Sequence, residues 1–287
     1  RFALVSGSLL LEVCTALPRR ALVDLGDDSA WQATGSGAED DSDMLPGTAF
    51  THVGEHLLGL VPDLEAFAAS SAMDDLRNVS ANGRWRGEVE PGEQVDGEGV
   101  QALWTTLTAQ VWSRAISSQK GTGLTSMGVE ALARRCSAKA AVAAMYKSST
   151  VYGTPAVESE PEGGADSGTD GGESSELIAL RLANDWLEAI ADSIIGLILA
   201  QIVRIERLSA QGKRQLRTDL DYVTNVVSAI GLAPHPILAH VSSVLALSED
   251  GASSLRDSGQ QESPTSHAES ALRELDRRVL QACGSLD

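Results

Sequence analysis

The stretch His52-Val53-Gly54-Glu55-His56 sets two imidazoles four residues apart with a carboxylate beside them. On a helix this spacing brings both rings to one face, where they can hold zinc while Glu55 serves as general base in peptide hydrolysis. Glu130 is a candidate third ligand. Against this zinc peptidase reading, Gly54 weakens a helix from inside the motif. The segment is also short, and no alternation of strands and helices surrounds it. Ser117-Ser118-Gln119-Lys120 has the S-x-x-K spacing of an acyl-transfer nucleophile, but it sits at a helix end ahead of Gly121, without its partner motifs. Gly121-Thr122-Gly123 lacks the lysine that completes a phosphate loop. Cys14, Cys136 and Cys283 are odd in number, far apart and without metal or redox spacing, which fits a reducing compartment. The sequon at Asn78 is then expected to be inert. The chain therefore reads as non-enzymatic, with no catalytic, cofactor or metal residues.

The elements that hold these groups are expected to be helices. Of the 287 residues, 43 % are hydrophobic and only 4 % aromatic, and the apolar set is mostly Leu, Ala, Val and Ile. That mixture favours helices packed on helices. The net charge is −18, and its location matters more than its size. Sixteen of the 40 acids fall in 36–43, 87–98 and 157–176, stretches with no Lys or Arg, leaving 24 acids against 22 bases elsewhere. This balance argues against nucleic acid, which needs a basic footprint, and against direct electrostatic docking on an anionic membrane. The longest apolar run of the central helix, Ile194–Ala200, falls far short of the roughly 20 residues of a membrane span. The chain opens at Arg1, so it is expected to be a piece of a longer protein.

In order, residues 2–17 read as a helix ended by Pro18, apolar on most sides and so inside a bundle. Residues 24–43 read as a flexible loop. A short helix over 48–60 is expected to break at Val61-Pro62, with a second segment over 63–76 and a Gly/Glu loop over 81–98. Val100–Ile116 is amphipathic, with Leu103, Leu107, Val111 and Trp104 inward, and Val129–Tyr146 is Ala-rich and helical. Residues 157–176 form an acidic linker that cannot offset its ordering entropy. Leu177–Leu208 is the longest helix, with Trp186 as an inter-helix anchor or a partner-facing hot spot. Residues 248–267 are loose, and Ala268–Cys283 forms a terminal helix with Leu272, Leu275 and Val279 inward and Arg273, Arg277 and Arg278 outward. The domain reading is a helical region over 1–156, the acidic linker, a bundle region over 177–247 and a tail over 248–287. The fold class is all-α, an antiparallel bundle or helical rod interrupted by long disordered acidic loops.

The stretch 209–247 is the one around which the rest is organised. Ser209 is an N-cap, since its hydroxyl can accept an orphan N–H. Leu216, Leu220, Val223, Val227 and Ile230 recur at spacings of three and four and form one stripe. Gly231 can close the helix in the left-handed conformation, and Pro234 and Pro236 forbid its continuation. Thr218, Asp221, Tyr222 and Asn225 take the opposite, polar face, solvated or partner-facing. His235 and His240 are expected in a loop and on a helix surface.

Leu216-x-Thr218-Asp219-Leu-Asp221-Tyr222-Val-x-Asn225-Val226-x-x-Ala229-x-Gly231-Leu232-x-Pro234 resembles the subunit 7 family of the conserved oligomeric Golgi complex, whose T-D-(I/L)-D-Y…N-V…G-L-x-P pattern has this order and spacing. Asn184-Asp185-Trp186-Leu187 is similar to that family's Asn-Trp-Leu. His52–Phe67 is similar to its Ile-Gly…Leu-Pro…Leu-Glu-x-Phe stretch, to which the histidines do not belong. The likeness covers roughly residues 44–70 and 177–247, and residues 81–176 depart from it. The resemblance implies a non-enzymatic part of a Golgi vesicle tether of the helical-rod type. It further implies action in intra-Golgi retrograde transport, upkeep of Golgi glycosylation, and partners among subunits 5, 6 and 8. Membrane association would be indirect, at the cytosolic face. A different helical tether or adaptor is the alternative.

Overall fold

A computed structural model describes residues 2–26, 31, 44–68, 98–117, 123–136, 175–249 and 266–284. They form helices α1 (Phe2–Ala21), α2 (Thr48–Ala68), α3 (Glu98–Ser117), α4 (Ser126–Cys136), α5 (Ser175–Ile202), α6 (Ala210–Ala229), α7 (Pro236–Glu249) and α8 (His267–Ala282), with a 3-10 turn over Val23–Gly26. The fold is all-α, and no strand occurs among the described residues.

Neighbouring helices contact one another in a closed circuit, α1–α2–α6–α7–α8–α4–α3 and back to α1. Helix α5 packs against α1, α2 and α3. From Ala189 to Ala200 every one of its residues is buried, as expected of a helix that is apolar all round. One hydrophobic cluster includes side chains from Leu11 to Cys283. The tightest seam is α3 on α5. A Cβ added at Gly196 would overlap the Trp112 ring, so the missing side chain makes room for the indole. The indole N–H then donates to the Asp192 carbonyl at 2.7 Å.

Helix α6 follows its sequence signals. Ser209 Oγ accepts the Gly212 N–H at 3.0 Å and donates to the Trp31 carbonyl at 2.8 Å. Leu216, Leu220, Val223 and Val227 are buried, and Ile230 packs against the core. Gly231 takes a φ of 82°, open only to glycine without strain, and Pro236 opens α7.

Other expectations are corrected. Helix α1 runs through Pro18 to Ala21. A proline cannot bond the carbonyl four residues back; here that is the Cys14 carbonyl, which accepts from His56 Nε2 at 2.7 Å instead. Nor is α1 interior, because Leu9, Val13 and Leu17 are each more than 60 % exposed. Helix α2 continues through Pro62, and the carbonyl that the proline cannot bond belongs to Leu58, an exposed position. Helix α3 starts at Glu98 and buries Trp112 and Ile116 besides Trp104 and Leu107. Helix α4 starts at Ser126, three residues earlier than expected. Helix α5 ends at Ile202 in a turn, and the Leu208 N–H donates instead to the Ala282 carbonyl at 2.7 Å. Helix α7 extends to Glu249. Within 24–43, Leu25 and Trp31 are buried, and the Trp31 indole N–H donates to the Leu25 carbonyl. The rest of that expected loop from residue 27 on, apart from Trp31, lies outside the described residues. So do 69–97, 118–122, 137–174 and 250–265, with the readings made on them.

Candidate functional site

The zinc-spaced residues do not form a centre. His52 and Glu55 are exposed, and His56 spends Nε2 on the Cys14 carbonyl. Glu130 lies on α4, where it accepts from Ser126 and faces Arg134. Among the described residues no group of three or more His, Cys, Asp and Glu side chains is gathered around a common point.

What the fold does bring together are the described parts of the motif blocks, 44–68, 184–187 and 209–234. Asp219 of α6 is 1 % exposed. Its Oδ1 accepts the Gly47 N–H at 2.7 Å, at the head of α2, and Gln215 Nε2 at 2.9 Å. The same Gln215 amide reaches the Leu45 carbonyl at 3.0 Å. Burial pushes the Asp219 carboxyl up to about 6, against the opposing pull of the two N–H donors. One turn on, Tyr222 lies against Gly54 of α2, where an added Cβ would stand 2.5 Å from the phenol oxygen. Tyr222 is therefore half-buried in a helix seam and not on the solvated face expected for it. Trp186 of α5 stacks at a tilt on Phe67 at the end of α2, with ring centroids 5.4 Å apart. Leu187, Leu216 and Val226 are core. Asp221, Asn225 and Pro234 are exposed. The junction is thus built for packing and helix registration, and it leaves a short polar stripe free on the outer face of α6.

Residues 168–270 match the family model of Golgi complex component 7. The resemblance read from the T-D-x-D-Y pattern is to this same family, and it rests on the carboxyl-terminal region. The conserved oligomeric Golgi complex subunit 7 of Homo sapiens is 38 % identical over 64 residues, covering 22 % of this chain and 8 % of that protein. The Arabidopsis thaliana subunit 7 is 32 % identical over 75 residues, 26 % of this chain and 9 % of its own. The Dictyostelium discoideum subunit 7 is 33 % identical over 69 residues, 24 % and 7 %. The shared stretch is thus a small part of each relative. No solved structure matches the chain. The component 7 match covers α5, α6 and α7 and enters α8, while the block at 44–70 lies outside it.

Sequence reasoning missed His235, which is 2 % exposed at the head of α7. Its Nδ1 accepts the Ile237 N–H at 3.3 Å, which places the ring proton on Nε2. That N–H has no hydrogen-bond partner among the described residues; Asp192 Oδ1 stands 3.9 Å away, beyond bonding range. The ring sits 5.6 Å from that of Trp112. Burial pushes His235 down to about 4, so it is neutral at pH 7 and makes no ion pair with Asp192. No periodicity announces this burial, because the residue precedes its helix. His240, expected on a helix surface, is half-buried and pairs with Asp276 of α8 at 2.7 Å, a hydrogen bond that raises its pKa.

Two buried groups, His235 and Asp219, should give opposite pH dependences. A histidine whose folded pKa is depressed stabilises above its ordinary value of 6.5 and loses that contribution as pH falls through about 4. The loss is roughly 3 kcal/mol. Asp219 is raised, so its contribution is present below its ordinary 3.8 and fades as pH rises through about 6. The two slopes oppose each other in the wild type, and single variants should separate them. Urea midpoints of His235→Leu should fall less than wild type between pH 6.5 and 4; parallel curves would refute the assignment. Asp219→Asn retains the acceptor Oδ1 without the charge and should be at least as stable as wild type at pH 7.5. Asp219→Ala orphans the Gly47 N–H and should cost about 1–3 kcal/mol. Equal losses in both variants would mean that the ionised form is what the junction needs.

Proposed function

We propose that this chain is part of a subunit of the conserved oligomeric Golgi complex and works there without catalysis, as a helical scaffold. In this reading it serves vesicle tethering in intra-Golgi retrograde transport and thereby the upkeep of Golgi glycosylation. It sits peripherally at the cytosolic face, held through its partners, which we take to be subunits 5, 6 and 8. The observation that carries the reading is the component 7 match over 168–270. It is supported by the physical junction of the blocks that carry the resemblance, Asp219 on Gly47, Tyr222 on Gly54 and Trp186 on Phe67. Among the described residues no helix is long and apolar enough to cross a membrane, which accords with attachment through partners. On α6, Asp221 and Asn225 are exposed and left for a partner, whereas Asp219, Tyr222 and Val226 hold the helix to its neighbours. Affinity purification of the tagged chain from cells should co-enrich subunits 5, 6 and 8. Recovery of other tethers or adaptors in their place would reject the proposal.

A further inference from the structure

We propose that the turn over 203–209 and the first two turns of α6 form a cationic docking surface for an acidic helical segment of a partner protein. The chain as a whole repels such a partner, yet residues 204–217 hold five bases, Arg204, Arg207, Lys213, Arg214 and Arg217, against the single acid Glu206. The other residues carry 17 bases and 39 acids. Arg204, Arg207, Arg214 and Arg217 are exposed and Lys213 is partly so.

Several of the described bases elsewhere are paired with acids. Arg19 faces Glu12, Arg134 faces Glu130, Arg135 faces Glu269, and Arg277 and Arg278 share Glu274. In the 204–217 stretch, Arg204 reaches only the neutral Gln201 amide oxygen. Arg207, Lys213 and Arg217 make no side-chain hydrogen bond or ion pair among the described residues. Among the described residues no acid takes up these three charges, while Arg214 has an interaction of its own.

The backbone that presents these bases is fixed. Ile205 and Leu208 are buried, the Leu208 N–H is held by Ala282, and the Ser209 N–H and hydroxyl both bond the Trp31 carbonyl. A preorganised surface loses little entropy on binding. On α6, at about 100° per residue, Arg214 and Arg217 lie on the side away from the buried Leu216 and Val223, and Lys213, one turn before Arg217, stands at the rim of the buried stripe. Bases three and four residues apart along a helix match carboxylates spaced i, i+3 and i+4 on a second helix. Asp221, one turn past Arg217, bounds the stretch and sets the direction in which an acidic partner can lie. A short acidic segment feels this local field within a Debye length of about 8–10 Å. An anionic bilayer would face the acids of the whole chain as well.

The test uses the intact chain and a labelled helical peptide of Glu and Ala, titrated by fluorescence anisotropy. Binding should weaken as salt is raised. Lys213→Glu/Arg217→Glu should weaken it by at least about tenfold, as losing close interfacial charge pairs does. Lys213→Arg/Arg217→Lys should keep it, which guards against a misfolded charge reversal. Arg20→Glu/Arg114→Glu, a matched change at exposed bases elsewhere, should bind like wild type. Absence of binding, equal affinity for the Gln counterpart of the peptide, or an equal loss in the control variant would overturn the proposal. So would capture by phosphatidylserine vesicles at lower concentrations than by the peptide. The inference does not rest on the Golgi assignment: subunits could fail to co-purify while this titration succeeds, and the reverse.

Discussion

Trp112→Ala should destabilise the bundle by about 3–5 kcal/mol, the range for removing a fully buried Trp. Trp112 is 1 % exposed, its ring fills the notch at Gly196, and its N–H is bonded to the Asp192 carbonyl. Truncation opens a cavity between α3 and α5 and removes that bond. The converse change, Gly196→Ala, places a methyl group into the same ring and should cost about 1–3 kcal/mol despite the better helix propensity of alanine. The two effects are not independent. In the Trp112→Ala background the notch is empty, so Gly196→Ala should there be neutral or stabilising by up to about 1 kcal/mol. Chemical denaturation of the four proteins closes the cycle. Additive losses would show that the ring does not lean on Gly196.

Leu220→Ala is the second large effect, about 2–5 kcal/mol. Leu220 has no exposed surface and stands mid-stripe on α6, the helix that packs on both α2 and α7. The cost falls at the upper end of that range if the seam cannot collapse, and Tyr222 seated on Gly54 and Asp219 bonded to Gly47 hold the helices at a fixed distance. An unchanged urea midpoint would place the stripe outside the core.

The legible parts of this protein share a physical cause. Period and punctuation are local, so α6 could be read from Leu216 to Ile230 and stopped at Gly231 before any coordinate was known. The same holds for the break at Pro234 and Pro236 and for the inward Leu275 and Val279 of α8. Pro18 and Pro62 failed as stop signals for a non-local reason. The carbonyl lost to Pro18 is taken by His56, 42 residues away, and the one facing Pro62 lies on an exposed side. His56 itself, read as a possible ligand, is a structural donor because of that same proline.

By itself the sequence determined the helical class, the amphipathic stripe and the motif order, because these depend on spacing along the chain. Tertiary structure decided that α5, whose apolar run the sequence already marked as central, is sealed on every side from Ala189 to Ala200. It also decided that Asp219 and Tyr222 serve packing while Asp221 and Asn225 remain exposed, and that His235 is sealed beside Trp112. Adjacent residues of one motif point in different directions around a helix, and which direction is covered depends on the helices that close around it.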